Sequence, residues 1–136
     1  GNTNSNTSAT DHAVLDPVTN TWTPIAALNQ PFPTPYSRST VVGNKIVFFG
    51  GDQGQTGGIY DVAANTWQAL NLNGAPAARF LPYAVSTGTK AIFFGGFLDN
   101  GAVFNSGGVY DLANNSWQLI TQTNAPIRYE LINAHN

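Results

Sequence analysis

The stretch Ile59-Tyr60-Asp61-Val62-Ala63-Ala64-Asn65-Thr66-Trp67 decides the reading of this chain, because it occurs in three versions. The earlier version is Val14-Leu15-Asp16-Pro17-Val18-Thr19-Asn20-Thr21-Trp22, and the later one is Val109-Tyr110-Asp111-Leu112-Ala113-Asn114-Asn115-Ser116-Trp117. In each, a short apolar run meets Asp, a polar link ends on Asn, and a second run opens on Ser or Thr before Trp. Asp and Asn side chains bond to nearby backbone and tolerate left-handed geometry. Each phrase therefore reads as two antiparallel strands joined by a tight turn. The tryptophans are 45 and 50 residues apart.

Two more strands precede the middle hairpin. Arg38 to Val42 is a run closed by Gly43-Asn44, a two-residue hairpin turn. Lys45 to Phe49 is almost continuously apolar, as expected for a strand buried on both faces, and it ends on Gly50-Gly51. Gly57 to Asp61 and Thr66 to Leu70 follow, giving strands a, b, c and d. The last unit repeats the pattern, with Lys90-Ala91-Ile92-Phe93-Phe94-Gly95-Gly96 as its strand b. A period of about 40–50 residues built from short strands points to the blades of an all-β propeller.

The Gly-Gly ending strand b, the Tyr opening the c–d hairpin (Leu15 in the first unit) and the Trp seven residues later resemble the kelch motif. The phrase Asn124-Ala125-Pro126-Ile127-Arg128 looks like bacterial-type kelch repeats. The resemblance covers nearly the whole chain and implies a galactose-oxidase-like propeller architecture. The first unit departs from it at Leu15 and at Ala13, which stands where glycine is expected.

Blade boundaries follow from the repeat. Residues 1–25 hold strands c and d of a partial blade, 37–70 and 79–120 are complete blades, and 127–136 is strand a of the next. Propellers close with roughly 4–8 blades, so this set leaves two sheet edges open. Either the chain is a segment of a longer ring, the preferred reading, or copies of it associate to close one. The absence of methionine suits an excised piece.

Composition excludes several functions. Of the 136 residues 42% are hydrophobic, enough for a core, and only 9% are charged, against roughly 25% in ordinary soluble proteins. Net charge is −2 and there is no basic run, which argues against nucleic acid. No apolar run reaches the roughly 20 residues that span a membrane. There is no cysteine, which removes disulfides, thiol chemistry and Cys-type zinc sites. A cysteine-free, low-charge, Asn/Thr-rich β repeat suits a secreted, periplasmic or cell-surface protein, with a bacterial lean. Asn6-Thr7-Ser8 and Asn114-Asn115-Ser116 have the N-glycosylation pattern, read as chance in that setting.

No catalytic constellation emerges. His12 and His135, the two histidines, fall at opposite ends of their strands and so on opposite faces of a toroid. The resemblance brings in copper radical oxidases, which need a Tyr–Cys cross-link that this chain has no cysteine to make. No histidine accompanies a G-x-S-x-G elbow. Asp16, Asp61 and Asp111 share one repeat position and read as turn caps. Asp52 and Asp99 lie in b–c loops without EF-hand spacing. No metal and no cofactor is expected.

Arg38, Arg79 and Arg128 follow prolines in similar phrases: Pro35-Tyr36-Ser37-Arg38, Pro76-Ala77-Ala78-Arg79 and Pro126-Ile127-Arg128. They read as one repeat position at the start of strand a, ringing the channel mouth. A bracing role fits their planar five-donor fork, and an anion-binding ring is the functional alternative. Trp22, Trp67 and Trp117, in register with Tyr60 and Tyr110, read as packing. Ligand candidates are instead the aromatics that break register, Phe32, Tyr36, Phe97 and Phe104, with the loop residues Asp52, Gln53, Asp99 and Asn100. The a–b and c–d turns are short and regular, whereas the b–c and d–a loops vary and emerge on one face. Variable loops on a rigid frame carry function. The expectation is a non-catalytic module that binds protein or glycan through that face. The alternative is the propeller part of a secreted oxidase or glycosidase whose catalytic residues lie elsewhere.

Overall fold

The computed structural model describes residues 13–25, 35–52 and 54–127. Ten strands are found among them and no helix. A hairpin pairs β1 (Ala13–Asp16) with β2 (Thr21–Pro24). A four-stranded antiparallel meander follows: β3 (Arg38–Val42), β4 (Lys45–Phe49), β5 (Gly57–Asp61) and β6 (Thr66–Ala69). A second runs through β7 (Tyr83–Ser86), β8 (Lys90–Phe94), β9 (Gly107–Asp111) and β10 (Ser116–Leu119). These are the all-β blades read from the sequence. The first strands of the two meanders, β3 and β7, lie against each other.

The c–d hairpins show why the quoted phrase repeats. Asp61 and Asp111 accept backbone N–H bonds from Ala64 at 3.0 Å and from Ala113 at 3.0 Å. Asn20, Asn65 and Asn115 take φ of 53°, 53° and 50°, left-handed geometry that asparagine tolerates. The Tyr60 hydroxyl donates to Asn65 Oδ1 at 2.8 Å and Tyr110 to Asn115 Oδ1 at 2.7 Å. Across the hairpin, Tyr60 pairs with Trp67 and Tyr110 with Trp117, each with ring centroids 5.2 Å apart. So Tyr, Asp, Asn and Trp form one closed device. Leu15 cannot make the hydroxyl bond in the first hairpin, and its Trp22 is 66% exposed.

The core lies between the two meanders. Residues that pair across neighbouring strands share a face. Val42, Val47, Phe49 and Ile59 of the first meander face Ala91, Phe93 and Tyr110 of the second, all buried. Phe49 stacks on Phe93 at 5.4 Å and on Trp117 at 5.0 Å. The Trp117 indole donates its N–H to Asn71 O at 2.7 Å, in the link between the meanders. Gly108 makes room for that link: a Cβ there would sit 2.8 Å from Pro76 Cδ. Lys45 is salt-bridged to Asp61, and Lys90 to Asp111 at 3.1 Å, at the same position of each sheet.

Two predictions follow from this packing. Phe93→Ala should cost about 3–5 kcal/mol in denaturant unfolding, and Tyr110→Phe about 1 kcal/mol, since it removes one hydrogen bond and keeps the ring. The second concerns acid. The lysine hydrogen bonds, then the backbone donors, hold Asp61 and Asp111 below the ordinary carboxylate value of 3.8. With the folded pKa depressed, this contribution is complete above the unfolded value and is lost as pH falls through the folded one. Melting temperature should therefore drop as pH falls below the ordinary carboxylate value of 3.8, and the drop should be shallower in a Lys45→Met/Lys90→Met variant.

Candidate functional site

The end of the blades where strand b finishes and strand a begins is built on a repeated backbone frame. After β4 the chain turns through Gly50 and Gly51, at φ of 85° and 118°. Gly51 N–H donates to Arg79 O at 3.0 Å, and a Cβ on Gly50 would sit 2.7 Å from that same oxygen. Only glycine lets the incoming link of the next blade pass so closely. The residue after each Gly-Gly pair then bonds back to the segment entering its own blade. Asp52 N donates to Pro35 O at 3.1 Å, and Phe97 N to Phe80 O at 3.1 Å. Tyr36 and Leu81, each two residues before strand a, take φ of 67° and 45°, and Leu81 N donates to Tyr36 O at 2.7 Å. A left-handed bend at a bulky residue is thus how each blade enters its first strand.

The frame repeats but its side chains do not. Pro35, Tyr36 and Asp52 in one blade stand where Phe80, Leu81 and Phe97 stand in the next. The result is a row of three rings. Tyr36 packs on Phe80 with centroids 5.7 Å apart, and Phe80 meets Phe97 edge-on at 5.6 Å. Tyr36 is 51% exposed, while Phe80 is buried beneath it. Of the expected ligand residues, Tyr36 and Phe97 are brought together. Phe80, missed from the sequence, joins them. Its signal in the sequence is an aromatic directly after Arg79. Asp52 is exposed beside Pro35.

The b–c loop of the second blade is itself a small hairpin. Phe97 bridges to Val103, Leu98 N donates to Ala102 O at 2.9 Å, and Asn100 Oδ1 accepts from Ala102 N at 3.0 Å. Asp99 and Asn100 form its exposed tip. The Phe104 ring lies under the Arg79 guanidinium, 4.3 Å from centroid to Cζ. Phe32, Gln53 and Arg128 lie outside the described residues.

The arginines correct the sequence reading. Arg38 pairs with Phe49, and the residue paired with Phe94 is Tyr83, so Arg38 and Tyr83 are equivalent and Arg79 is not their counterpart. The two-residue turns Gly43-Asn44 and Gly88-Thr89 fix this register whatever the resemblance of the Pro-x-x-Arg phrases. Arg38 is exposed at the head of β3, whereas Arg79 is buried four residues before β7. Arg79 Nε donates to Ala77 O at 2.9 Å. Its Nη1 donates to Gly95 O at 3.0 Å and Ser106 O at 2.7 Å, and Nη2 to Ser106 Oγ at 3.2 Å. It thereby ties both ends of the b–c loop to the link between blades. Burial lowers its pKa to about 10, which leaves it charged at neutral pH.

Among the described residues no group of three or more His, Cys, Asp or Glu is placed to hold a metal ion. No helix among them is long and apolar enough to cross a membrane. The arrangement offers recognition: an aromatic row, a polar loop tip and a buried cation that steadies the loop.

In comparison with known families the chain matches the KLHDC2/KLHL20/DRC7 Kelch-repeats domain over residues 1–131. No curated protein matches the chain.

Arg79→Lys should destabilise the fold by about 2–3 kcal/mol, because a single ammonium leaves buried carbonyl acceptors unmatched. Hydrogen exchange should show the excess opening at residues 95–106 rather than in the c–d hairpins.

Proposed function

The chain belongs to the kelch-repeat family, and on that footing we propose that it is a non-catalytic protein-binding module. It engages its partner through the face built from the d–a links and b–c loops. Extended segments of a partner lie along the Tyr36–Phe80–Phe97 row, with Asp52, Asp99 and Asn100 setting polar contacts around it. One observation carries this reading: at equivalent backbone positions, held by equivalent hydrogen bonds, the two blades present different side chains. Where the repeat serves folding, as in Tyr60/Tyr110 and Trp67/Trp117, the residues are the same. Divergence on an identical frame marks positions whose side chains the backbone frame does not dictate. Exposed aromatics are the residue type that dominates protein-binding energetics. An extracytoplasmic setting belongs to the same proposal, on the low charge and the Asn/Thr-rich composition.

Alanine substitution separates this face from the rest of the surface. Partners recovered by proximity labelling should be retested for direct binding to Tyr36→Ala, Phe97→Ala and, as a control distant from the face, Val62→Ala. Tenfold or greater weakening is expected for the first two, corresponding to about 1.4 kcal/mol or more, and none for the control. Unchanged affinity in both aromatic variants would overturn the assignment.

A further inference from the structure

We propose that Asn73 is the residue at which this chain ages by spontaneous deamidation. Its side-chain amide is lost to attack by the Gly74 nitrogen, and the product falls on the link that holds the two blades together. The fold protects the other Asn-Gly pair, Asn100-Gly101, from the same reaction.

In an Asn-Gly pair the backbone nitrogen reaches the side-chain amide easily, because glycine has no Cβ in the way and its backbone turns freely. Two such pairs occur in the sequence, Asn73-Gly74 and Asn100-Gly101. All four residues are exposed, so access of water does not separate them. Hydrogen bonding does. At the tip of the b–c loop the nitrogen that would attack, Gly101 N, donates to Leu98 O at 2.9 Å. The amide that would be attacked is held as well, since Asn100 Oδ1 accepts from Ala102 N at 3.0 Å. Leu98 N donates to Ala102 O at 2.9 Å and closes the hairpin around both. In the link between the blades, Ala75 N donates to Leu72 O at 3.1 Å across a turn whose third residue is Gly74, at φ of 75°. Such a turn uses the N–H of its fourth residue and not that of its third. Among the described residues neither Gly74 N nor the Asn73 side chain has a hydrogen-bond partner.

The reaction needs water alone. Gly74 N bonds to Asn73 Cγ and gives up its proton. The Cγ–Nδ2 bond breaks, and Nδ2 leaves with that proton as ammonia. Water then opens the cyclic imide at either carbonyl, giving aspartate or isoaspartate. Isoaspartate routes the main chain through Cβ and so adds a carbon to the link. The link has little slack to take it up. Asn71 O accepts the Trp117 indole N–H at 2.7 Å, and Asn71 Nδ2 donates to Asn115 O at 2.7 Å. Asn71 Oδ1 in turn holds Asn73 N at 3.0 Å. Pro76 is seated over Gly108, and a Cβ on Gly74 would lie 3.8 Å from Trp117 Cβ. A lengthened main chain cannot keep all of these contacts, so the altered link loosens its hold on the Trp117 hairpin.

The test is to incubate the chain in mildly alkaline buffer, folded and in denaturant, and to follow both asparagines by peptide mapping with mass spectrometry. In the folded chain Asn73 should convert severalfold faster than Asn100. In denaturant, where both glycine nitrogens are released, the two rates should converge. Equal rates in the folded chain, or faster conversion of Asn100, would overturn the proposal. So would an excess at Asn73 that persists unchanged in denaturant, because the fold would then not be its cause. The second readout is thermal melting. The wild-type melting temperature should fall as isoaspartate accumulates at position 73, while Asn73→Ser, incubated alongside, should keep its own. A parallel fall in Asn73→Ser, or an unchanged melting temperature in wild-type chains that carry the isoaspartate, would overturn the placement of the damage on the link.

Discussion

The structure depends on the aromatic seam where Phe49 of one blade meets Phe93 and Trp117 of the next. A lone four-stranded meander has two apolar faces and only one thickness of sheet, so it cannot bury either face by itself. Stacking a second meander on the first seals Val47, Phe49 and Phe93 from water. Burial of side chains of this size is worth about 1.5–3 kcal/mol each. The Trp117 indole fixes the relative placement of the sheets by reaching Asn71 in the link between them. The glycines follow from the same closeness. Gly50 and Gly108 sit where the neighbouring blade's backbone or proline leaves no room for a Cβ.

The c–d hairpin supplies the other requirement, an aromatic presented at a fixed place on the sheet. Asp caps the turn, Asn takes the left-handed residue, and the tyrosine hydroxyl locks that Asn while its ring supports Trp. Four residue types repeat because they act on one another. Burial, with the adjacent Asp111 carboxylate, raises the Tyr110 hydroxyl above its ordinary value, which keeps it a donor to Asn115. The first hairpin has Leu15 in place of Tyr, and its Trp22 is exposed.

Much of this was legible in the residues. Two-residue turns, apolar strand b and the Asp-to-Asn links gave the strands of the middle blade almost to the residue, because each signal is local. What could not be read was anything set by register across strands. Pro35-Tyr36-Ser37-Arg38 and Pro76-Ala77-Ala78-Arg79 look alike, yet strand pairing puts Arg38 opposite Phe49 and leaves Arg79 ahead of β7. Nor does the sequence announce that Phe104 lies under a guanidinium, or that Phe80 joins Tyr36 to Phe97. Those contacts join residues far apart in the chain through a frame that only the folded blades create.

The proposed function divides along the same line: residues that repeat hold the blades together, and the proposed binding residues lie where side chains diverge on the repeated frame, at the end of the blades tied by the buried Arg79. If the seam is what makes two blades one body, they must open as one. Native-state hydrogen exchange under mild denaturant tests this most directly. Strands b of both blades, Val47–Phe49 and Ala91–Phe93, should share a single opening free energy equal to that of global unfolding, with the Leu98–Ala102 tip exchanging far faster. Separate opening energies for the two strands would show that each blade stands alone and that the seam is not the constraint on which the fold rests.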